Sequence, residues 1–212
     1  TYKFRQDSTF LYYTGIDMPG LVFMMDIDND REILFGNELT VDDIVWTGPI
    51  DALTVWAARA GIAETKAYAG IESSLKDAQA KGRTIHFLPP YRGEHVLKLQ
   101  EWLGYFPKEI DGKVSTGLIK AIVSMRSYKQ PEEIAEMDKA VNVSAKMHNL
   151  FFKSLKPGKT EKFVDGILHG YALSSGNDIA YPIILTENGE TLHILARDIK
   201  MNGDRLAICD AG

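Results

Sequence analysis

The chain of 212 residues holds a single cysteine, Cys209. One thiol excludes an intrachain disulfide and any cysteine-based zinc site, and such sparse use fits a reducing compartment. No apolar run reaches the ~18–20 residues that a bilayer crossing needs, and no signal-peptide pattern opens the chain. The expected location is cytoplasmic. No segment concentrates lysine and arginine, and the formal net charge is −5. Nucleic acid and anionic membranes are therefore poor partners, since both need a concentrated basic face. There is no internal repeat of 20–50 residues and no low-complexity stretch.

What is present is the composition of a globular protein, 45% hydrophobic and 25% charged. A chain this long can bury about 70% of its unfolded surface without disulfide or metal staples, in one or two domains. Leu21–Ile27 is a compact apolar run of strand length, followed by the turn cluster Asp28-Asn29-Asp30 and a second apolar run, Glu32–Phe35. That order predicts a hairpin. Leu53–Ile62 has helical spacing and a stop at Gly61, Thr84–Leu88 reads as a strand closed by Pro89-Pro90, and Glu94–Leu103 aligns Val96, Leu99 and Leu103 on one helix face. Strands alternating with helices predict an α/β fold.

A boundary is expected in the polar segment Met125–Gln130, which separates a domain over 1–124 from a second over 125–212. Pro131 suits the first position of a helix, and Glu132 and Glu133 place negative charge at its positive end. Ile134, Met137, Val141, Ala145 and His148 then recur at three- and four-residue spacing, predicting a helix to about Leu155 with that row facing the core. Pro157-Gly158 breaks it, and Thr160 is placed to cap a second helix. Three strand-like pieces follow: Pro182–Leu185, Thr191–Leu195 and Leu206–Cys209.

Two residues here can carry chemistry. Asp210 stands at the end of the last strand-like piece, where a carboxylate can aim at a divalent cation; taken alone it reads first as a turn or capping residue. His193 lies in the predicted strand Thr191–Leu195. In isolation it reads as a half-buried histidine satisfied by a backbone carbonyl; alternatively it is a donor that polarises a substrate carbonyl. His86, His95, His148 and His169 show no ligand spacing, and Trp46, Trp56 and Trp102 are expected as core or interface anchors. Cys209, flanked by apolar residues, reads as a small buried hydrophobe.

The string GDRLAICDAG (203–212), the preceding TLHIL, and the helix pair opening with RSYKQPEEIAEMDKAV resemble the pita-bread metallopeptidases. FRQDSTFLYYTGIDMPG (4–20) and VWTGP (45–49) look like the creatinase-type N-terminal domain of aminopeptidase P. The resemblance covers nearly the whole chain. It implies a creatinase-like α/β domain followed by the first part of a pita-bread α+β domain. It also implies an Xaa-Pro aminopeptidase that uses two divalent metals, usually Mn, to activate the hydroxide that attacks the bond before proline. Asp210 matches the first aspartate ligand of that family, and His193 matches a histidine that contacts substrate without binding metal. The other ligands are expected downstream, so the 212 residues alone should be inactive, because one carboxylate cannot hold a metal pair. Peptides with penultimate proline are the implied partners, and homo-oligomers the implied assembly. Prolidase, which cleaves dipeptides, is the nearest alternative; a non-catalytic peptide- or protein-binding pita-bread module is another. Ile194 stands where an aromatic commonly follows the family's histidine, which puts fine substrate preference in doubt.

Overall fold

The computed structural model describes residues 4–176 and 178–212. The chain divides into two compact units, Thr1–Ser127 and Tyr128–Gly212.

The first unit begins with helix α1 (Ser8–Thr14). Asp7 caps it, its Oδ1 accepting from the backbone N–H of Thr9 and Phe10 at 2.9 and 2.8 Å. Gly15, at φ 65°, supplies the left-handed turn that ends it. Gln6 donates through Nε2 to the carbonyls of Ile16 and Met18. The FRQDS stretch thus folds the chain's start back onto the segment leaving α1.

Strands β1 (Val22–Asp26) and β2 (Arg31–Gly36) form the expected antiparallel hairpin, in register from Val22↔Phe35 to Asp26↔Arg31. Helices α2 (Val41–Thr47) and α3 (Leu53–Arg59) lead to β3 (Glu64–Ala67), which pairs parallel to β2. The sheet order is β1-β2-β3. As the central strand, β2 is covered on both sides, and its alternating side chains divide between two cores. Leu34 joins Ile16, Leu53, Ala57 and Ile62. Ile33 and Phe35 join Ile71, with Trp102 and Leu75 packed against them. Ile71 and Leu75 come from α4 (Gly70–Ala80) and Trp102 from α5 (Gly93–Leu103). A short α6 (Ile110–Lys113) and α7 (Thr116–Ser127) complete the unit.

The second unit is a helix pair laid on a small sheet. Helix α8 (Pro131–Ser154) starts where the proline predicts, and Glu133 accepts from the Gln130 N–H at 2.9 Å. Helix α9 (Glu161–Ser174) is capped by Thr160, whose Oγ1 accepts from Phe163 N at 3.1 Å. Strands β4 (Ile184–Thr186) and β5 (Ile208–Asp210) pair antiparallel. The core joins Met147 and Phe151 of α8, Val164, Leu168 and Ala172 of α9, and Ile183 and Leu185, closed by Met201 and Ala211.

Several expectations are corrected. Thr84–Leu88 runs without a strand ladder. It is tied instead to Ser115, whose N–H donates to the Phe87 carbonyl at 3.3 Å and whose Oγ lies 2.8 Å from His86 Nδ1. The helix predicted from Ile134, Met137 and Val141 is real, but that row is solvent-exposed. Burial of α8 is confined to Met147 and Phe151, one turn apart, where it meets α9. Trp46 is 87% exposed and anchors no core. No helix among the described residues is long and apolar enough to cross a membrane.

Candidate metal and substrate site

Strand β5 sets Asp210 by simple alternation. Leu185, fully buried, faces Cys209 across the ladder, and Cys209 packs against the core. Its neighbours Ile208 and Asp210 therefore point the other way, to solvent. Burial and the adjacent carboxylates of Asp210 and Asp165 push the Cys209 thiol up to about 11. It is a neutral filler beside the candidate ligand, as its apolar flanks predict.

The Asp210 carboxylate is already oriented. Tyr181 Oη donates to its Oδ1, and this bond raises the phenol above its ordinary range. The pairing continues past the carboxylate, where Ala180 N donates to the Gly212 carbonyl at 2.7 Å. A hard oxygen donor held at the mouth of a strand suits a hard divalent cation as one ligand. Among the described residues, no group of three or more His, Cys, Asp or Glu side chains could hold a metal ion.

His193 is not in a strand. It sits exposed in a turn with φ 59°, a backbone region that few non-glycine residues adopt and in which histidine is enriched. It follows a turn over 188–191 that Thr191 N closes by donating to the Asn188 carbonyl at 3.1 Å. The chain regains pairing two residues later, where Leu195 bridges Ile184. Ile184 also pairs with Asp210. Leu195 and Asp210 thus flank one rung of β4 from its two sides, which puts their backbones roughly 10 Å apart.

Two buried carboxylates organise the segment between them. Glu161, the first residue of α9, is 1% exposed. Its Oε1 accepts from Thr186 Oγ1 at 2.8 Å and Glu187 N at 3.2 Å, and its Oε2 accepts from Arg197 N at 3.0 Å. The Arg197 Nε lies 3.5 Å from the same Oε2. Glu187 accepts from Asn202 N and Gly203 N at 2.9 and 3.1 Å. Sequence reasoning missed Glu161, Glu187 and Tyr181. An acidic residue in the first turn of a helix reads as a solvated partner of the dipole, and nothing local ties Tyr181 to a residue 29 positions later.

Outside this region, His169 Nε2 lies 3.2 Å from Asp178 Oδ1. Asp165, one turn before His169, has its carboxyl raised by burial, partly offset by that histidine.

The comparisons with known proteins bear on both units. Residues 1–86 match the aminopeptidase P N-terminal domain, and residues 135–212 match metallopeptidase family M24. A probable Xaa-Pro aminopeptidase of Chaetomium globosum is 27% identical over 212 residues, covering 99% of this chain and 34% of the relative. One from Podospora anserina is 28% identical over 218 residues, covering 99% and 45%. The chain therefore spans less than half the length of these relatives. Among solved structures, Escherichia coli aminopeptidase P in its low-pH form superposes with a TM-score of 0.81 at 24% identity, and Pseudomonas aeruginosa aminopeptidase PepP with 0.80 at 22%. Each covers 100% of this chain and 50% of the solved one. These likenesses agree with the α/β and α+β architecture of the two units. The chain thus resembles an aminopeptidase P N-terminal domain over residues 1–86 followed by part of an M24 metallopeptidase domain over residues 135–212.

Proposed function

We propose that the protein of which this chain is a part is a dimetal Xaa-Pro aminopeptidase, releasing the first residue from peptides with proline in second position. The observation that carries the reading is Asp210: an exposed carboxylate at the end of β5, oriented by Tyr181, in a unit that matches family M24. The relatives' names, probable Xaa-Pro aminopeptidases, agree with it.

Asp210 would hold one of two divalent cations, with Mn the preferred metal and the remaining ligands supplied by residues beyond Gly212. A relative in E. coli has been solved in a zinc-substituted form with product. When bound, the metals would lower the pKa of an attacking water and polarise the scissile carbonyl. Tyr181 holds the carboxylate in one rotamer. His193, exposed at its turn, would donate a hydrogen bond to the substrate carbonyl and strengthen it as charge develops there. The reading carries with it a cytoplasmic location and a homo-oligomer, with no role for nucleic acid or membrane.

The test is metal-dependent release of the N-terminal residue from an Xaa-Pro-Xaa tripeptide by the full-length gene product, with Mn, Co and Zn each supplied. Activity with the Asp210→Asn variant dead supports the reading. Cleavage of Xaa-Pro dipeptides only would make it a prolidase. No cleavage of either substrate with any metal would move it to a binding module.

A further inference from the structure

The segment from Glu187 to Arg197 carries His193 and adds to the hydrophobic core of its unit only Ala196, partly buried against it. It should wander, yet both its ends are gripped by one side chain. Glu161 reaches Thr186 and Glu187 at the entrance with one oxygen and Arg197 at the exit with the other. The α9 backbone adds to the grip at the exit, where Lys162 N donates to the Arg197 carbonyl at 3.0 Å and Glu161 N to the Ile199 carbonyl at 3.2 Å. A carboxylate is the one side chain suited to this place, because every backbone group facing it is a donor and it offers acceptors on both oxygens. Its charge is compensated by the Arg197 guanidinium and by these oriented dipoles. The Arg197 Nε and Nη2 are themselves buried without a hydrogen-bond partner among the described residues.

We propose that Glu161 is a positioning residue for the reaction: by clasping the two ends of the Glu187–Arg197 loop it fixes the turn that presents His193. This rests on the proposed role of His193. Glutamine has the same shape but one acceptor. Whichever way its amide turns, the NH2 group faces a donor, either Arg197 N or Glu187 N, so one end of the loop is released. The Thr186 hydroxyl can rotate to accept, but the backbone N–H groups cannot. Second-layer partners of this kind typically change activity ten- to hundredfold.

The experiment is a double-mutant cycle in the full-length protein, with Xaa-Pro-Xaa cleavage as one readout and amide hydrogen exchange as the other. Glu161→Gln is expected to lower kcat ten- to hundredfold in the wild-type background and less than threefold in the His193→Ala background, with KM changed little. Exchange at the Glu187 and Arg197 amides should accelerate at least tenfold, while the α8 amides keep their protection. A factor that is the same in both backgrounds, or no change in either, overturns the proposal and leaves Glu161 as a stabilising residue only. If His193→Ala leaves activity untouched, or no variant cleaves the peptide, the functional reading falls. Hydrogen exchange then decides the clasp alone, and unaltered loop exchange overturns it. Should Glu161→Gln fail to fold, Thr186→Val, which removes one donor at the loop entrance, takes its place in the same cycle with a smaller expected factor.

Discussion

The Tyr181 hydroxyl donates to Oδ1 of Asp210, so a residue just before β4 decides the rotamer of one at the end of β5. Tyr181 is 40% exposed, and its ring is not part of the core. Tyr181→Phe is therefore expected to leave the fold intact and to weaken divalent-metal affinity of the full-length protein about tenfold, as loss of an outer hydrogen bond to a ligand does. Calorimetric titration with Mn checks this; an unchanged affinity would mean that Asp210 finds its rotamer without help.

His193 holds a left-handed backbone at a cost of roughly 1 kcal/mol for a non-glycine residue. His193→Gly relieves that strain. It should leave thermal stability equal or raise it by up to about 1 kcal/mol, set against glycine's greater freedom in the unfolded chain. Peptide cleavage should fall by about 10²–10³, the size of losing one donor to a developing oxyanion. Stability that drops together with activity would point to a structural histidine.

Leu168 is fully buried between α8, α9 and the β4–β5 sheet. Leu168→Ala removes buried methyl groups and leaves a cavity, and is expected to cost about 2–5 kcal/mol in urea unfolding of the second unit. A cost below about 1 kcal/mol would show a loosely packed site.

Acid should loosen the first unit at one identifiable place. Arg83 bonds Asp26 through both its terminal nitrogens and Asp28 through Nε, and the guanidinium holds the Asp26 carboxyl well below the usual carboxylate range. A group whose folded pKa is depressed stabilises above its unfolded value, about 3.9, and that contribution is lost as pH falls toward the folded value. Wild type should therefore lose stability below about pH 4, and Arg83→Gln should show a weaker dependence over the same range. Parallel acid-unfolding curves would assign the acid sensitivity to other carboxylates.

Much of the second unit could be read from local chemistry. Pro131, the Pro157-Gly158 break and the Thr160 cap place α8 and α9 to within a residue, because caps and breakers act through their own backbone. Which face of α8 is buried could not be read that way. Its apolar residues occupy more than one stripe, and only contact with α9 selects Met147 and Phe151. Strand β3 was missed because Glu64-Thr65-Lys66-Ala67 is neither apolar nor alternating; its pairing with β2 is a long-range event. Thr191–Leu195 has strand composition, yet the segment turns at His193 and only Leu195 pairs. At the candidate site, Asp210 was marked as a proposed ligand by its motif. The residues that orient it and hold the loop were not, since Tyr181, Glu161 and Glu187 act across distances in sequence that no local pattern encodes.

Because Glu161 and Glu187 moor the Glu187–Gly203 segment at fixed points, its exposed tip at Leu192 and His193 can stand clear of the core. Leu192, exposed at that tip, can be exchanged with little toll on folding, whereas a side chain at Gly189 would displace Ile208. Under the proposed function, such a tip is a cassette in which substrate preference would drift while the framework stays put. Ile194, an aliphatic beside the candidate histidine, is one setting of that cassette.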